Sequence, residues 1–314
     1  MAIYTGSNKQ LGGTETVSKK EMFYYGLIQK NVLVTGANGQ LGQEMKARAE
    51  ITNTPFRFFF TDVDHLDITD KKQLEYFVER NSIEYIINCA AYTAVDKAEE
   101  DVDTAYLINY EAVKSIAEVS SSHGVKIIHI STDYVFDGAA STPYKETDSC
   151  NPLSVYGKSK LKGEESIANI AHGWMIIRTS WLFSKYGANF VKTMLNLMSS
   201  REELNIVADQ RGTPTYAADL AEMIFVILNE AEWYSGIYHF SNSGETTWYD
   251  FAGKIQKLAG LSSCKLNRIT TAEYKTVAQR PMYSVFDKSK IENKYHVTIP
   301  TWENALNRML AADR

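Results

Sequence analysis

From about residue 31 onward, short runs rich in β-branched and aromatic residues alternate with segments of helical period. Alternation of this kind specifies a parallel sheet, because parallel strands are joined by crossover helices. Strands are predicted at residues 32–34, 58–60, 85–87, 126–130 and 175–177. Between them, Leu74, Phe77 and Val78 recur at i, i+3, i+4, and residues 104–121 place Leu107, Ile108, Val113, Ile116 and Ala117 at helical spacing. Each helix therefore has one apolar stripe to lay against the strands.

The alternation weakens after Trp181, where residues 190–198 read as a helix followed by a charged turn and the Gly212-Thr213-Pro214 break. A helix at 218–228 and a strand at 237–240 return to the sheet, while helices at 247–258 and 302–311 belong to a smaller lobe over its carboxyl edge. The expected fold is α/β: a Rossmann-type doubly wound parallel sheet over residues 31–182, rejoined by 216–241, with a C-terminal lobe built mainly from 183–215 and 242–314. Residues 1–30, with Gly6, Gly12 and Gly13 among several Ser, Thr and Lys, precede the first strand and read as an added or mobile extension.

The first strand runs straight into Thr35-Gly36-Ala37-Asn38-Gly39-Gln40-Leu41-Gly42 and then a helix. Glycines there permit a tight turn and let a backbone approach a pyrophosphate, whose charge meets the helix N-terminal amides. The spacing is GxxGxxG rather than GxGxxG, and taken alone it serves an ordinary strand-to-helix turn equally well. Asp62, after the second strand, stands where a carboxylate accepts from an adenosine ribose hydroxyl; a turn or capping aspartate is the alternative, as its neighbours Asp64, Asp67 and Asp70 illustrate. A ribose contact would favour NADH over NADPH, although a shifted loop tolerates the 2′-phosphate, so both cofactors stay open. The third strand ends in Asn88-Cys89-Ala90-Ala91-Tyr92-Thr93, whose alanines either let a cofactor pass or simply pack a helix.

Tyr156 and Lys160 stand one helical turn apart in Ser154-Val155-Tyr156-Gly157-Lys158-Ser159-Lys160, and Thr132 follows the fourth strand. A phenol, an ammonium and a hydroxyl gathered at a sheet edge can protonate the oxygen of a ketone as it receives hydride. The ammonium is expected to lower the phenol's pKa, and the threonine to position the carbonyl. A lone Tyr and Lys pair is ordinarily a surface pair; the glycine turn and the strand-end hydroxyl upstream argue otherwise here.

Composition removes other classes. A net charge of −5 carries no basic footprint for nucleic acid. Cys89, Cys150 and Cys264 are odd in number and widely spaced, which indicates neither a disulfide framework nor a metal site and suits a reducing, cytoplasmic setting. No apolar run is long enough to span a bilayer, and no HExxH or HxxxH pair signals zinc. No metal and no membrane partner are expected.

Several runs carry a closer resemblance: Thr93-Ala94-Val95-Asp96-Lys97-Ala98-Glu99, Ser131-Thr132-Asp133-Tyr134-Val135-Phe136, Tyr156-Gly157-Lys158-Ser159-Lys160, Arg178-Thr179-Ser180-Trp181 and Asp209-Gln210-Arg211-Gly212-Thr213-Pro214-Thr215. From about residue 31 to the end, the chain resembles the dTDP-4-dehydrorhamnose reductases of the extended short-chain dehydrogenase/reductase superfamily. The resemblance implies reduction of a dTDP-4-ketosugar with NADPH or NADH. By matched position Tyr156 is the proton donor, Lys160 its partner and Thr132 the tuning hydroxyl. Gly39, Gln40, Leu41, Asp62, Asp67, Ile68, Ala91, Tyr92 and Thr93 match cofactor contacts, to which the glycine turn adds Gly36 and Gly42 and the third strand end adds Ala90. Asp133 and Trp181 match the sugar-nucleotide site, with Val95 and Trp181 flanking the sugar ring. A core tryptophan is the alternative for Trp181. Arg280 matches a segment that reaches the diphosphate. Some relatives are homodimers with magnesium at the interface; Glu44 fits one ligand position but the other falls on Ala218, so no such metal is expected. The alternatives are a reductase or epimerase of another nucleotide 4-ketosugar, and a dinucleotide-binding regulatory subunit such as that of methionine adenosyltransferase.

Overall fold

The computed structural model describes residues 29–52 and 54–312, so most of the predicted 1–30 extension lies outside the described residues. Six parallel strands form the central sheet: β1 (Lys30–Thr35), β2 (Phe56–Phe60), β3 (Ile83–Asn88), β4 (Lys126–Thr132), β5 (Trp174–Thr179) and β6 (Gly236–His239). Their spatial order is β2-β1-β3-β4-β5-β6, so the winding reverses between β1 and β3. That switch point opens a crevice beyond the carboxyl ends of the strands.

Both faces of the sheet are covered, which is why its strands are apolar throughout rather than alternating. On one face Val32, Val34, Ile128, Met175 and Ile177 pack with Leu41 and Met45 of α1 (Gln40–Ile51). On the other, Leu33, Ile86, Ile127 and Ile176 meet α2 (Lys71–Arg80), α3 (Ala112–His123) and α4 (Val155–Ile170) through Leu74, Ile116 and Ile167. Each fully buried aliphatic side chain contributes about 1.5–3 kcal/mol. Helix α5 (Phe190–Ser200), helix α6 (Ala217–Asn229), helix α7 (Trp248–Ala259) and helix α8 (Trp302–Ala312) follow the expected order. Helix α6 returns to the first face, while Val191, Met194, Phe251, Ile255, Leu306 and Met309 build a separate apolar cluster.

The helix expected at 104–121 is divided. Residues Val102–Tyr106 are α-helical, Leu107–Glu111 widen into a π-turn, and α3 then resumes. Asn109 in the widened turn explains the interruption: its amide bonds the backbone N–H and carbonyl of Tyr92 at 2.9 and 3.0 Å and the Ser159 hydroxyl at 3.0 Å. A regular helix would carry that side chain away from the end of β3.

Helix α4 starts at a Ser154 cap, whose Oγ accepts from Gly157 N at 3.1 Å. Gly157 lets the helix sit directly on the turn after β4, since a Cβ there would lie 2.2 Å from the Tyr134 carbonyl oxygen. That close approach brings Tyr156 beside Thr132.

Candidate active site

A cleft of about 790 Å³ lies along the carboxyl edge of the sheet, lined from the ends of β1 through β5. The volume suits a substantial ligand. At the β1 end, Gly36 adopts φ +62, and a Cβ on it would stand 2.6 Å from Ala90 N. A Cβ on Gly42 would stand 2.5 Å from Ala37 Cα, so both glycines are demanded by backbone approach. Gly39 caps α1 without any side-chain hydrogen bond, and the first turn carries no acidic side chain. The helix therefore presents unblocked amides and the positive end of its dipole to the cleft. These are features a dinucleotide diphosphate requires.

Gly36, Gly39, Gln40, Leu41, Gly42, Asp62, Asp67, Ile68, Ala90, Ala91 and Thr93 all line this cleft. Asp62 accepts from Asn38 N and Val63 N, both at 2.9 Å, which fixes its carboxylate across the glycine turn. Asp67 is held by Thr69 N and Oγ1 at 2.9 and 2.8 Å. Gln40 is tied to the segment after β5, accepting from Asn189 Nδ2 at 3.0 Å. Tyr92 is the exception: it is absent from the lining, its backbone clasped by Asn109 and its hydroxyl donating to Asp101 at 3.2 Å.

Thr132, Tyr156 and Lys160 converge on the same cleft, and all three are buried. One expectation about them is corrected. Burial raises the Tyr156 pKa above the ordinary phenol value, with the Thr132 hydroxyl opposing the rise only in part. In the free protein Lys160 does not offset that rise: its Nζ donates to the Ile130 carbonyl at 2.7 Å and lies 3.3 Å from His129 Nε2. Burial in turn lowers Lys160 to about 8, against weaker opposing effects of Glu164 and Cys89. The physical reason is tertiary: helical spacing sets the two side chains on one face, but removal from water outweighs their mutual field.

Trp181 lines the cleft with its backbone at φ +46, an outlying conformation for so bulky a residue. Its indole stacks on Trp248, ring centroids 3.5 Å apart and planes 8° from parallel, and rests against Gly212. Half-buried, it is a plate at the cleft wall rather than a core side chain. Val95 also lines the cleft and packs against the cluster of Ala98, Ala105 and Tyr156. Asp133 is 3 % exposed; its Oδ1 accepts from Thr132 Oγ1 at 3.1 Å, while Oδ2 is buried with no hydrogen-bond partner. Burial accordingly pushes Asp133 up to about 6, opposed in part by the Ser284 and Thr132 hydroxyls.

Arg280 is not in the cleft lining. Its guanidinium pairs with Asp96 at 2.7 Å and donates to the Tyr134 hydroxyl at 3.3 Å. Tyr134, not among the residues singled out by sequence, lines the cleft and meets the Tyr156 ring edge-on at 5.5 Å. Its place in the Ser131–Phe136 run next to Thr132 was the available signal. Glu44 is buried and accepts from the Ser184 hydroxyl at 2.6 Å; among the described residues no group of three or more His, Cys, Asp or Glu is disposed to hold a metal.

Residues 30–314 match the family model described as the RmlD substrate binding domain. Among curated relatives, the dTDP-4-dehydrorhamnose reductase of Aggregatibacter actinomycetemcomitans is 43% identical over 292 residues, spanning 89% of this chain and 98% of that protein. The Escherichia coli K12 dTDP-4-dehydrorhamnose reductase is 38% identical over 290 residues, spanning 89% and 97%. The solved structure of dTDP-4-dehydrorhamnose reductase from Bacillus anthracis in complex with NADP has a TM-score of 0.86 at 39% identity, covering 91% of this chain and all of that one (100%). With the glycine turn, the buried trio and the tryptophan plate on one cleft, and with these matches along nearly the whole described length, the chain belongs to the dTDP-4-dehydrorhamnose reductase family.

Proposed function

We propose that this protein reduces the 4-keto group of dTDP-4-dehydro-L-rhamnose to give dTDP-L-rhamnose, using NADPH or NADH. The observation that carries the reading is the meeting of Tyr156, Thr132 and Lys160 at a cleft whose other end is a glycine-bounded helix N-terminus. Gly36, Gly39 and the first amides of α1 would hold the diphosphate of the cofactor, which when bound would supply the hydride for the ketone carbon. Asp62, Asp67 and Ile68 would hold its adenosine end, and Ala90, Ala91 and Thr93, which line the same cleft, would leave room for the rest of it. The carboxylate of Asp62 disfavours a 2′-phosphate close by, so NADPH binding requires the phosphate to point past it.

Tyr156 is the acid. Its raised pKa keeps the phenol protonated at neutral pH, and the alkoxide that forms as hydride arrives is a far stronger base than a phenolate. The O–H bond of Tyr156 breaks and the proton passes to the sugar oxygen, leaving a buried phenolate that the Lys160 ammonium one turn away stabilises. Thr132, whose one hydroxyl proton points to Asp133 Oδ1 in the free protein, turns it to the ketone oxygen and holds the ketone in place. Trp181 and Val95 flank the sugar ring, and the vacant Oδ2 of Asp133 accepts from a sugar hydroxyl. The units 183–215 and 242–314 supply the wall for the dTDP-sugar. Retention of all three catalytic groups in a buried cleft favours turnover over a purely regulatory dinucleotide-binding role.

The test is direct. Purified protein supplied with NADPH or NADH and dTDP-4-dehydro-L-rhamnose is expected to consume reduced cofactor and release the 4-hydroxy sugar nucleotide. Absence of turnover with both cofactors refutes the proposal.

A further inference from the structure

The neighbouring strands β1, β3 and β4 each carry a polar side chain two residues beyond an apolar one on the same face. Leu33, Ile86 and Ile127 are cross-strand neighbours in the apolar row; Thr35, Asn88 and His129 are neighbours in the next. All three polar side chains are at most 1 % exposed. Thr35 Oγ1 donates to Asn88 Oδ1 at 2.6 Å, the Asn88 amide nitrogen lies 3.0 Å from His129 Nδ1, and His129 Nε2 lies 3.3 Å from Lys160 Nζ. On β5 the partner of His129 is Ile176, so the row ends where it meets the lysine. A sheet face that only had to pack α3 and α4 would be served by three aliphatic residues, without the desolvation cost of buried polar groups.

We propose that His129, oriented by Asn88 and Thr35, is the positioning residue for Lys160. The inference rests on the catalytic reading of Lys160 given above. An ammonium offers three donors and no acceptor. The Ile130 carbonyl holds one of them and His129 Nε2, when its ring proton sits on Nδ1, a second, and the tetrahedral geometry then commits the third to a single direction, toward the cleft that Lys160 lines. Without His129 the Nζ would pivot about its one bond to Ile130.

The row has two settings of the His129 ring proton, and the first requires the Thr35 hydroxyl to turn as well. With Lys160 as an ammonium, Nε2 accepts, the ring proton sits on Nδ1, and a half-turn of the Asn88 amide brings its oxygen to that proton and its nitrogen to Thr35 Oγ1. With Lys160 as a neutral amine, the amide stands as observed, donating to Nδ1, and Nε2–H faces Nζ. The tautomer of His129 is therefore a reporter of the lysine's charge. Lys160 also feels Cys89 after β3 and Glu164 on α4, and Tyr156 stands one turn before it on the same helix. Cys89 is pushed up to about 12 and stays a thiol, Tyr156 stays a phenol, and Glu164 is bound by Arg178 of β5 at 2.6 Å. Burial and the lysine's own field lower the His129 pKa well below its usual value, so the ring is neutral in both settings.

Two measurements test this. First, ring nitrogen shifts of 15N-histidine in the free wild-type protein are expected to show Nδ1 and Nε2 exchanging character with a midpoint near 8, and Lys160→Met should abolish the change. This needs no substrate and no mutated His129. Second, His129→Leu should lower kcat ~10-fold or more and move the alkaline limb of its pH profile about one unit down, because Lys160 loses an acceptor that favours its charged form. His129→Gln, whose amide oxygen can accept from Nζ, should recover most of the loss. Ring shifts insensitive to Lys160→Met, or a Leu variant with the wild-type pH profile, or a Gln variant as impaired as the Leu variant, each overturn the proposal. If the wild type reduces no 4-ketosugar, the catalytic reading fails while the nitrogen titration still reports the Lys160–His129 coupling.

Discussion

Gly212→Ala tests whether Trp181 is a placed substrate wall. Gly212 is buried against the indole, and a Cβ built on it would stand 2.5 Å from Trp181 Cε2, 2.7 Å from Cζ2 and 2.8 Å from Nε1. Carbon atoms in comfortable contact stand about 3.5–4.0 Å apart, so the ring must move by roughly 1 Å. It cannot retreat toward Trp248, whose ring is already 3.5 Å away. The movement is therefore into the cleft. A displacement of that size at a positioning group costs on the order of 100-fold in rate, or about 2.7 kcal/mol of transition-state stabilisation. Overpacking adds roughly 1–3 kcal/mol of lost stability. The assay pairs steady-state reduction of the dTDP-ketosugar with a cofactor titration by fluorescence and a thermal melt. kcat/KM for the sugar should fall ~100-fold while cofactor affinity stays within about 3-fold, because the added Cβ crowds the stacked indoles and not the glycine turn at residues 36–42. A destabilised variant with nearly unchanged sugar kcat/KM would show that the indole plate has no part in holding substrate.

Tyr156→Phe should reduce kcat by ~100-fold to 10,000-fold with cofactor binding largely kept, and near-normal turnover would remove the phenol as proton donor. Lys160 titrates at about 8 when folded against 10.5 ordinarily, so between those values the unfolded chain holds a proton that the folded chain lacks. Stability of the free protein should therefore rise with pH across that window, by at most ~3 kcal/mol, relative to Lys160→Met; denaturant melts that show the same pH slope for both proteins contradict the burial argument. Asp133 has the opposite sign: its pKa is raised from 3.8 to about 6, so the stability it confers is full below the ordinary value and lost as pH rises through about 6. Asp133→Asn should accordingly stabilise the free protein at neutral pH by ~1–3 kcal/mol while raising KM for the sugar nucleotide, and a loss on both counts would assign the carboxylate a structural task.

The strands and the crossover helices were legible because their signal is local: apolar runs bounded by turn residues, with period changing from 2 to 3.6. The glycine turn and Thr132, Tyr156 and Lys160 were legible because chain order alone carries them to successive strand ends. What the sequence hid is pairwise and distant. Gly212 and Trp248 meet Trp181 only after the chain has passed through α5, and Asp96 meets Arg280 from the far end of the chain. The direction of the Tyr156 shift was misread for the same reason, since helical spacing reports which side chains are neighbours but not how much water is left between them. Thr35, Asn88 and His129 each look like the unremarked last residues of an apolar strand. Only the register of β1, β3 and β4 sets them in a line.

The π-turn at Leu107–Glu111 amounts to one residue more than a regular helix would hold. Removing one residue from it would turn everything before the deletion by about 100° relative to α3, carrying the Asn109 amide off Tyr92 and off Ser159 together. The widened turn also pushes the Asn109 carbonyl oxygen to within 2.3 Å of where a Cβ on Gly163 would be, so α4 can lie here only with a bare backbone at that position. The extra residue and the missing side chain, on two different helices, are thus two halves of one close approach. A chain that lost the first would be free to regain the second, and the end of β3 would lose its clasp in the same step.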